Sequence, residues 1–276
     1  MIKPPVIDFH VHLAEYEWFS PSTINWLQRM NKMDYLEYME IYKNPNKFEE
    51  LLKANQVDFA VVLAELCPIT TGICSNEQVS DFCSGHDSLI PFCSINPYME
   101  KRPDNKLEKL VNKQGFKGLK LYPTYQYFYL NEPMLYPLYA AAQELEIPIL
   151  FHTGSSIFEG ARIKYGDPLY FDDVAVDFPR LKIIMAHGGR GFWYERAYFL
   201  SKLHPNVYLE ISGLPPNNLM IYFPDLEKIS DKVIFGSDWP SPPDVSLIIN
   251  EIKRLPLTKT AIDNILGNNA ARLLNL

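Results

Sequence analysis

Eight short apolar runs punctuate the chain: Val6–His10, Asp58–Leu63, Leu89–Ile95, Phe116–Leu121, Ile147–Phe151, Lys182–Ala186, Val207–Ile211 and Lys232–Gly236. Most are near-continuously apolar rather than alternating, the pattern of parallel strands covered on both faces. Helical patterns lie between them. Glu132–Glu146 carries Pro133 in its first turn and stops before Pro148, and Asn105–Gln114 is closed by Gly115. Phe192–Leu203 and Ile262–Leu274 also fit helices. Strands alternating with helices in this number predict an α/β fold, a (β/α)8 TIM barrel. A doubly wound open sheet is the alternative, but no G-x-G-x-x-G turn follows an early strand. The segment Leu13–Gln56 is far longer than an ordinary connection and rich in Tyr, Trp and Met, so it is expected to insert helices that cover the barrel mouth.

With 47% hydrophobic side chains, 276 residues can bury one large core, and the absence of repeats, linkers and low-complexity tracts predicts a single domain over 1–276. A net charge of −7 argues against general affinity for nucleic acid or anionic membranes. Runs such as Val57–Leu66 fall far short of a membrane span, which needs about 20 residues. Met1-Ile2-Lys3-Pro4 leads straight into the first run, so no signal sequence is expected, and Cys67, Cys74, Cys83 and Cys93 show no C-x2-C spacing. Reduced thiols in a cytoplasmic protein are therefore expected. The expected partner is a small-molecule substrate, and pairing of two copies as a homodimer is left open.

Candidate chemistry begins in the first run. On a regular strand, Asp8, His10 and His12 share one side, and two imidazoles at that spacing can converge on one metal ion. A histidine on a strand face is more often a hydrogen-bonded core residue, so the placement of the other polar residues decides. Lys120 lies near the end of the fourth run, His152 follows the fifth, His187 the sixth, and Asp238 closes the eighth. In a barrel all these strand ends open onto one face, where such folds carry their chemistry, and four of the six histidines fall there.

The stretches that carry these residues resemble the amidohydrolase superfamily, and closely the amidohydrolase-related branch that holds decarboxylases, lactone hydrolases and hydratases. They are Asp8–His12, Gly115–Pro123, Pro148–Gly154, Phe178–Lys182 running into Ala186–Gly189, Ile234–Pro240 and the closing Gly267–Leu274. The resemblance implies one divalent metal held by His10, His12, His152 and Asp238, with Zn2+ the first expectation and Mn2+ the second. Three neutral imidazoles and a carboxylate suit zinc and still admit a fifth ligand. It further implies that Asp238 shuttles the proton, and that His187 is either a second-site ligand or a catalytic group that orients substrate and steadies negative charge. Lys120, Tyr122 and Arg190 are expected to bind substrate; the branch often carries a histidine where Tyr122 stands. A carboxylated Lys120 would instead bridge a second metal, and its plainest alternative is a barrel lysine paired with Asp8. Asp8 itself is expected one layer deeper, supporting a ligand.

The first functional expectation is a hydrolase in which a metal-activated water attacks an amide, lactone or related carbonyl. The alternative is a non-oxidative decarboxylase of a small unsaturated or aromatic acid, and a third reading is a metal-binding scaffold without catalysis. Plainer roles accompany these. His86 and His204 are expected in solvated loops, while Arg162, Arg190 and Arg196 are explained equally by carboxylate binding or surface salt bridges. Trp18, Phe19, Trp26, Tyr35, Tyr38 and Tyr42 are expected to form the core of the inserted segment rather than a substrate cage.

Overall fold

Parallel pairing links all eight predicted runs into one sheet. The computed structural model describes residues 4–13, 18–31, 35–241 and 244–276, with the side chains of 30, 31 and 35–38 left aside. The strands are β1 (Ile7–His12), β2 (Phe59–Leu63), β3 (Leu89–Ser94), β4 (Gly118–Leu121), β5 (Ile149–Gly154), β6 (Ile183–Arg190), β7 (Val207–Glu210) and β8 (Val233–Ile234). They pair in chain order. The two ends of the sheet meet where Phe9 N donates to Phe235 O at 3.0 Å, Asp238 N to His10 O at 3.0 Å and His12 N to Trp239 O at 2.8 Å. The fold is a TIM barrel.

Burial on both faces explains the continuous apolar runs. Val62, Leu119, Phe151, Met185 and Leu209 pack outward against helical Leu107, Leu138 and Ile249. Ile7, Phe9, Val61, Phe92, Leu150, Ile184 and Ile234 fill the barrel with Ala270 and Leu273. The predicted helices form with shifted ends: Pro103–Gln114, Tyr194–Leu203, and a 3₁₀ turn at Pro133–Leu135 continuing into Tyr136–Glu144. The last one is broken. Lys259–Asp263 and Asn269–Leu274 are separated by a π-helical turn over Asn264–Asn268. That turn brings Gly267 under the start of β1, where an added Cβ would stand 1.7 Å from Pro5 O. Backbone cannot yield as a side chain does, so Gly267→Ala is expected to destabilise the fold by about 2 kcal/mol or more. A urea midpoint within error of the parent protein would contradict this packing.

Between β1 and β2 lie helices Pro21–Asn31, Tyr35–Tyr42 and Pro45–Ala54. The segment is not wholly helical, because Trp18–Phe19 pairs with Gly72–Cys74, which pairs in turn with Glu65–Cys67. The four cysteines are buried, and none forms a disulfide among the described residues. Among the described residues no helix is long and apolar enough to cross a membrane.

Candidate active site

Inward alternation continues along the strands after their apolar residues end. Leu150 faces the barrel core, and His152, two residues on, lines a cavity at the mouth. Tyr208 packs against the same core, and Glu210, two residues on, is completely buried. In β1 the period of two is broken by a register shift between Asp8 and Val11. His10 and His12 both line the cavity, whereas Asp8 lies among Phe48, Leu52, Val57 and Trp239. Asp8 therefore does not share their side, which corrects the expectation from regular spacing. Its Oδ1 accepts the backbone N–H groups of His10 (3.2 Å) and Ser237 (2.8 Å), tying β1 to the loop after β8. Burial pushes this carboxyl up to about 6 against those hydrogen bonds.

Asp238 stands at the centre of the cluster. Its Oδ1 is 3.4 Å from His10 Nε2 and 3.6 Å from His12 Nε2. His187 lies between His10 and His152, with ring centroids 4.9 Å and 4.7 Å away. Donor atoms of His10, His187 and Asp238 all fall within 4.8 Å of one another. The four expected ligands are thus gathered at one mouth, but His187 is inside the group rather than beside it. Two of these residues have backbones in the left-handed region, His187 at φ 62° and Asp238 at φ 66°. Such conformations are uncommon outside glycine and concentrate at functional sites.

Charge follows from burial. Desolvation, aided by Lys120 or Arg190, holds His10, His152 and His187 well below the usual imidazole range, so all three are neutral. Burial alone would raise Asp238, but hydrogen bonding from His12 and the nearby Arg190 guanidinium hold the carboxyl well below its ordinary range. Neutral imidazoles around a carboxylate are the donor set a divalent cation requires. His152 Nε2 fits this too, being buried with no hydrogen-bond partner among the described residues.

The three expected substrate contacts differ. Arg190 lines the cavity and its Nη2 donates to Ser155 O at 3.3 Å. A Cβ on Gly213 would stand 2.8 Å from Arg190 Nη1 and 3.2 Å from Asp238 Oδ2, so only glycine leaves these groups that close. Tyr122 presents its ring to the cavity while its hydroxyl donates to Ala64 O at 2.9 Å. Lys120 is fully buried beneath, its Nζ 5.0 Å from the Tyr122 ring centroid and without a hydrogen-bond partner among the described residues. It is not paired with Asp8; its charge is supported by Glu210, Asp238 and Glu65. Burial lowers Lys120 and raises Glu210, and each partly restores the other's charge.

Other expectations need correction. His86 and His204 are not solvated: they pair with Glu49 at 3.0 Å and Asp172 at 2.7 Å, each largely covered. Arg196 pairs with Asp167 at the surface, and Arg162 lies 4.5 Å from the Tyr127 ring centroid. Phe19 and Trp26 line the cavity, with Trp26 against Phe158 at 5.4 Å, so part of the inserted aromatic set does form the cage. Tyr42 packs on Trp239 at 5.8 Å and Trp18 is exposed. The side chains of Tyr35 and Tyr38 lie outside the described residues. The cavity holds about 680 Å3 of empty space, its open mouth included.

Sequence reasoning missed Glu65, Tyr125, Glu210 and Ser212. Glu65 Oε2 is 3.4 Å from His12 Nδ1, and the Tyr125 ring lies 4.7 Å from that of His152. Glu210 Oε2 is 3.2 Å from His10 Nδ1, and Ser212 Oγ is 2.9 Å from the same atom and 3.0 Å from His187 Nδ1. A carboxylate inside the seventh apolar run was the available signal for Glu210.

Comparison with known proteins follows the same geometry. Residues 7–276 match the family model described as Amidohydrolase. A 2-keto-4-carboxy-3-hexenedioate hydratase from Sphingobium sp. strain SYK-6 is 29% identical over 158 residues, which are 48% of this chain and 46% of that protein. The chain thus matches about half the length of that relative. An uncharacterized TIM-barrel protein from Bordetella bronchiseptica superposes with a TM-score of 0.76 at 22% identity, covering 98% of each chain. A dihydroxybenzoic acid decarboxylase from Polaromonas sp. JS666, solved with manganese and 2-nitroresorcinol, gives 0.71 at 17% identity, covering 99% of this chain and 97% of that one. At these identities the likeness to the solved structures is one of fold.

Proposed function

The chain belongs to the amidohydrolase family, and from that premise we propose that it is a metal-dependent lyase of small unsaturated or aromatic carboxylic acids, in the first place a decarboxylase. The observation that carries this reading is Arg190 set beside Asp238 and His187 in a cavity walled by Phe19, Trp26, Tyr122, Tyr125 and Phe158. A planar acid has matching chemistry: a flat apolar body for the rings and a carboxylate for the guanidinium.

His10, His12 and Asp238, with His152 lining the same cavity, would hold a divalent metal, Zn2+ or Mn2+, and His187, grouped with His10 and Asp238, is close enough to join them. Bound there, the metal would act as a Lewis acid on a substrate oxygen. Arg190 binds the acid and orients it, and the aromatic walls keep water from the reacting carbon. When CO2 leaves, the electron pair of the broken C–C bond stays on carbon and must be met by a proton. Asp238, ionised and central, takes a proton from an acidic substrate O–H and returns it to that carbon. His187, neutral, orients the substrate through Nε2 while its Nδ1 is held by Ser212.

The hydrolytic reading expected first from the sequence has less support, since the named relatives are a hydratase and a decarboxylase. The test is a panel of hydroxybenzoates, unsaturated polycarboxylic acids, lactones and amides, assayed with Mn2+- or Zn2+-loaded protein. Metal-dependent CO2 release from an acid is the expected result. Addition of one water without CO2 would replace decarboxylation by hydration, and turnover confined to lactones or amides would restore the hydrolase. Removing metal with a chelator is expected to abolish turnover, and about one equivalent per chain is expected to restore it. Full activity in demonstrably metal-free protein would refute the proposal.

A further inference from the structure

We propose that Glu210 and Ser212 are positioning residues that fix the tautomers of His10 and His187 together, leaving both Nε2 atoms without a proton and that of His10 facing Asp238. Proton counting at the pair supports it. Glu210 Oε1 accepts from Ser212 N at 2.7 Å, and Oε2 accepts from His187 N at 3.3 Å. Backbone N–H groups can only donate, so each Glu210 oxygen accepts one, and with the group ionised beside Lys120 it has no proton to give in return. Ser212 Oγ lies 2.8 Å from Oε2 and has one proton, which it gives to the carboxylate. Its oxygen is then an acceptor toward His10 Nδ1 at 2.9 Å and His187 Nδ1 at 3.0 Å. His187 Nδ1 also meets Ser212 O at 3.0 Å, another acceptor. Both imidazoles must therefore carry their proton on Nδ1, which leaves the Nε2 lone pairs free.

The arrangement has a steric condition. A Cβ on Gly236 would stand 2.1 Å from Glu210 Oε1 and 2.7 Å from His10 Cβ, so glycine in β8's continuation makes room for the carboxylate. The role is distinct from ligation, because Glu210 touches the far nitrogen of His10 and faces away from Asp238. Groups of this kind orient an imidazole and raise its basicity, and their loss typically weakens metal affinity ten- to a hundredfold.

The inference rests on the reading of His10 and Asp238 as metal-facing groups, but its test needs no turnover. In metal-free protein with 15N-labelled histidine, long-range 1H–15N spectra are expected to show His10 and His187 as neutral Nδ1–H tautomers. Glu210→Gln places an NH2 against a donor whichever way the amide turns, and Ser212→Ala removes the shared acceptor. Both variants are expected to bind Mn2+ about ten- to a hundredfold more weakly by chelator competition, with near-UV circular dichroism unchanged. Nε2–H tautomers in the parent protein would overturn the proposal, and so would Mn2+ affinity equal to the parent's in Ser212→Ala, the milder variant. Failure of every acid in the substrate panel would refute the lyase and leave this inference standing.

Discussion

Asp238→Asn is expected to lower kcat by about two to four orders of magnitude, the range general acid–base groups contribute, while the fold persists. Asn has the same shape and is, with Asp, among the residues that tolerate the left-handed backbone seen here at φ 66°. The backbone N–H that reaches His10 O is untouched by the exchange. What changes is the chemistry: an amide cannot accept and return a proton, and it removes the negative charge that His12 and Arg190 sustain. Since Asp238 is also a proposed ligand, the measurement is made at saturating Mn2+, with bound metal determined alongside the rate. Weaker metal binding would then be titrated away, and the lost rate would remain. A variant that regains the parent's kcat at saturating metal would show that Asp238 only ligates.

The barrel and its mouth were legible in the sequence because both rest on one physical rule: strands buried on two faces must be apolar until they reach the site. The same rule explains the errors at strand ends. Apolar runs were predicted to end at Phe151 and Ala186, yet β5 runs to Gly154 and β6 to Arg190, carrying His152 and His187 as strand residues. Ladder pairing continues after the apolar core stops, so hydrophobicity marks the floor of the site and not the end of the strand. Asp8 was misplaced for a different reason, since a register shift inside β1 leaves no trace in composition. Ser212 was missed because a lone hydroxyl after a strand has nothing in sequence to distinguish it from a solvated one, and Glu210 because a carboxylate inside an apolar run names no partner. Their meaning comes from His10, roughly two hundred positions away in the chain and 3.2 Å from the Glu210 carboxylate.

Arg190→Gln is expected to lower kcat/KM for a carboxylate substrate by about ten- to a hundredfold, which corresponds to the loss of one strong charge-assisted interaction. The expectation is selective. A ligand with the same ring but no carboxylate loses little, because the aromatic walls that hold its body are unchanged. Arg190→Lys is expected to recover only a small part of the loss: an ammonium cannot reproduce the planar fork that reaches Ser155 O from one nitrogen and lies against Gly213 with another. Adding a methyl at Gly213 provides an independent route to the same defect, since its Cβ would displace Arg190 Nη1 without removing the charge. The two variants should therefore share a loss on carboxylate substrates, to which the Gly213 change adds a loss on every substrate through Asp238, whose Oδ2 would stand 3.2 Å from the new Cβ. If Arg190→Gln weakened carboxylate and non-carboxylate ligands equally, the guanidinium would be holding the wall of the cavity rather than recognising an acid, and the preference for carboxylic acids in the proposed reaction would lose its physical basis.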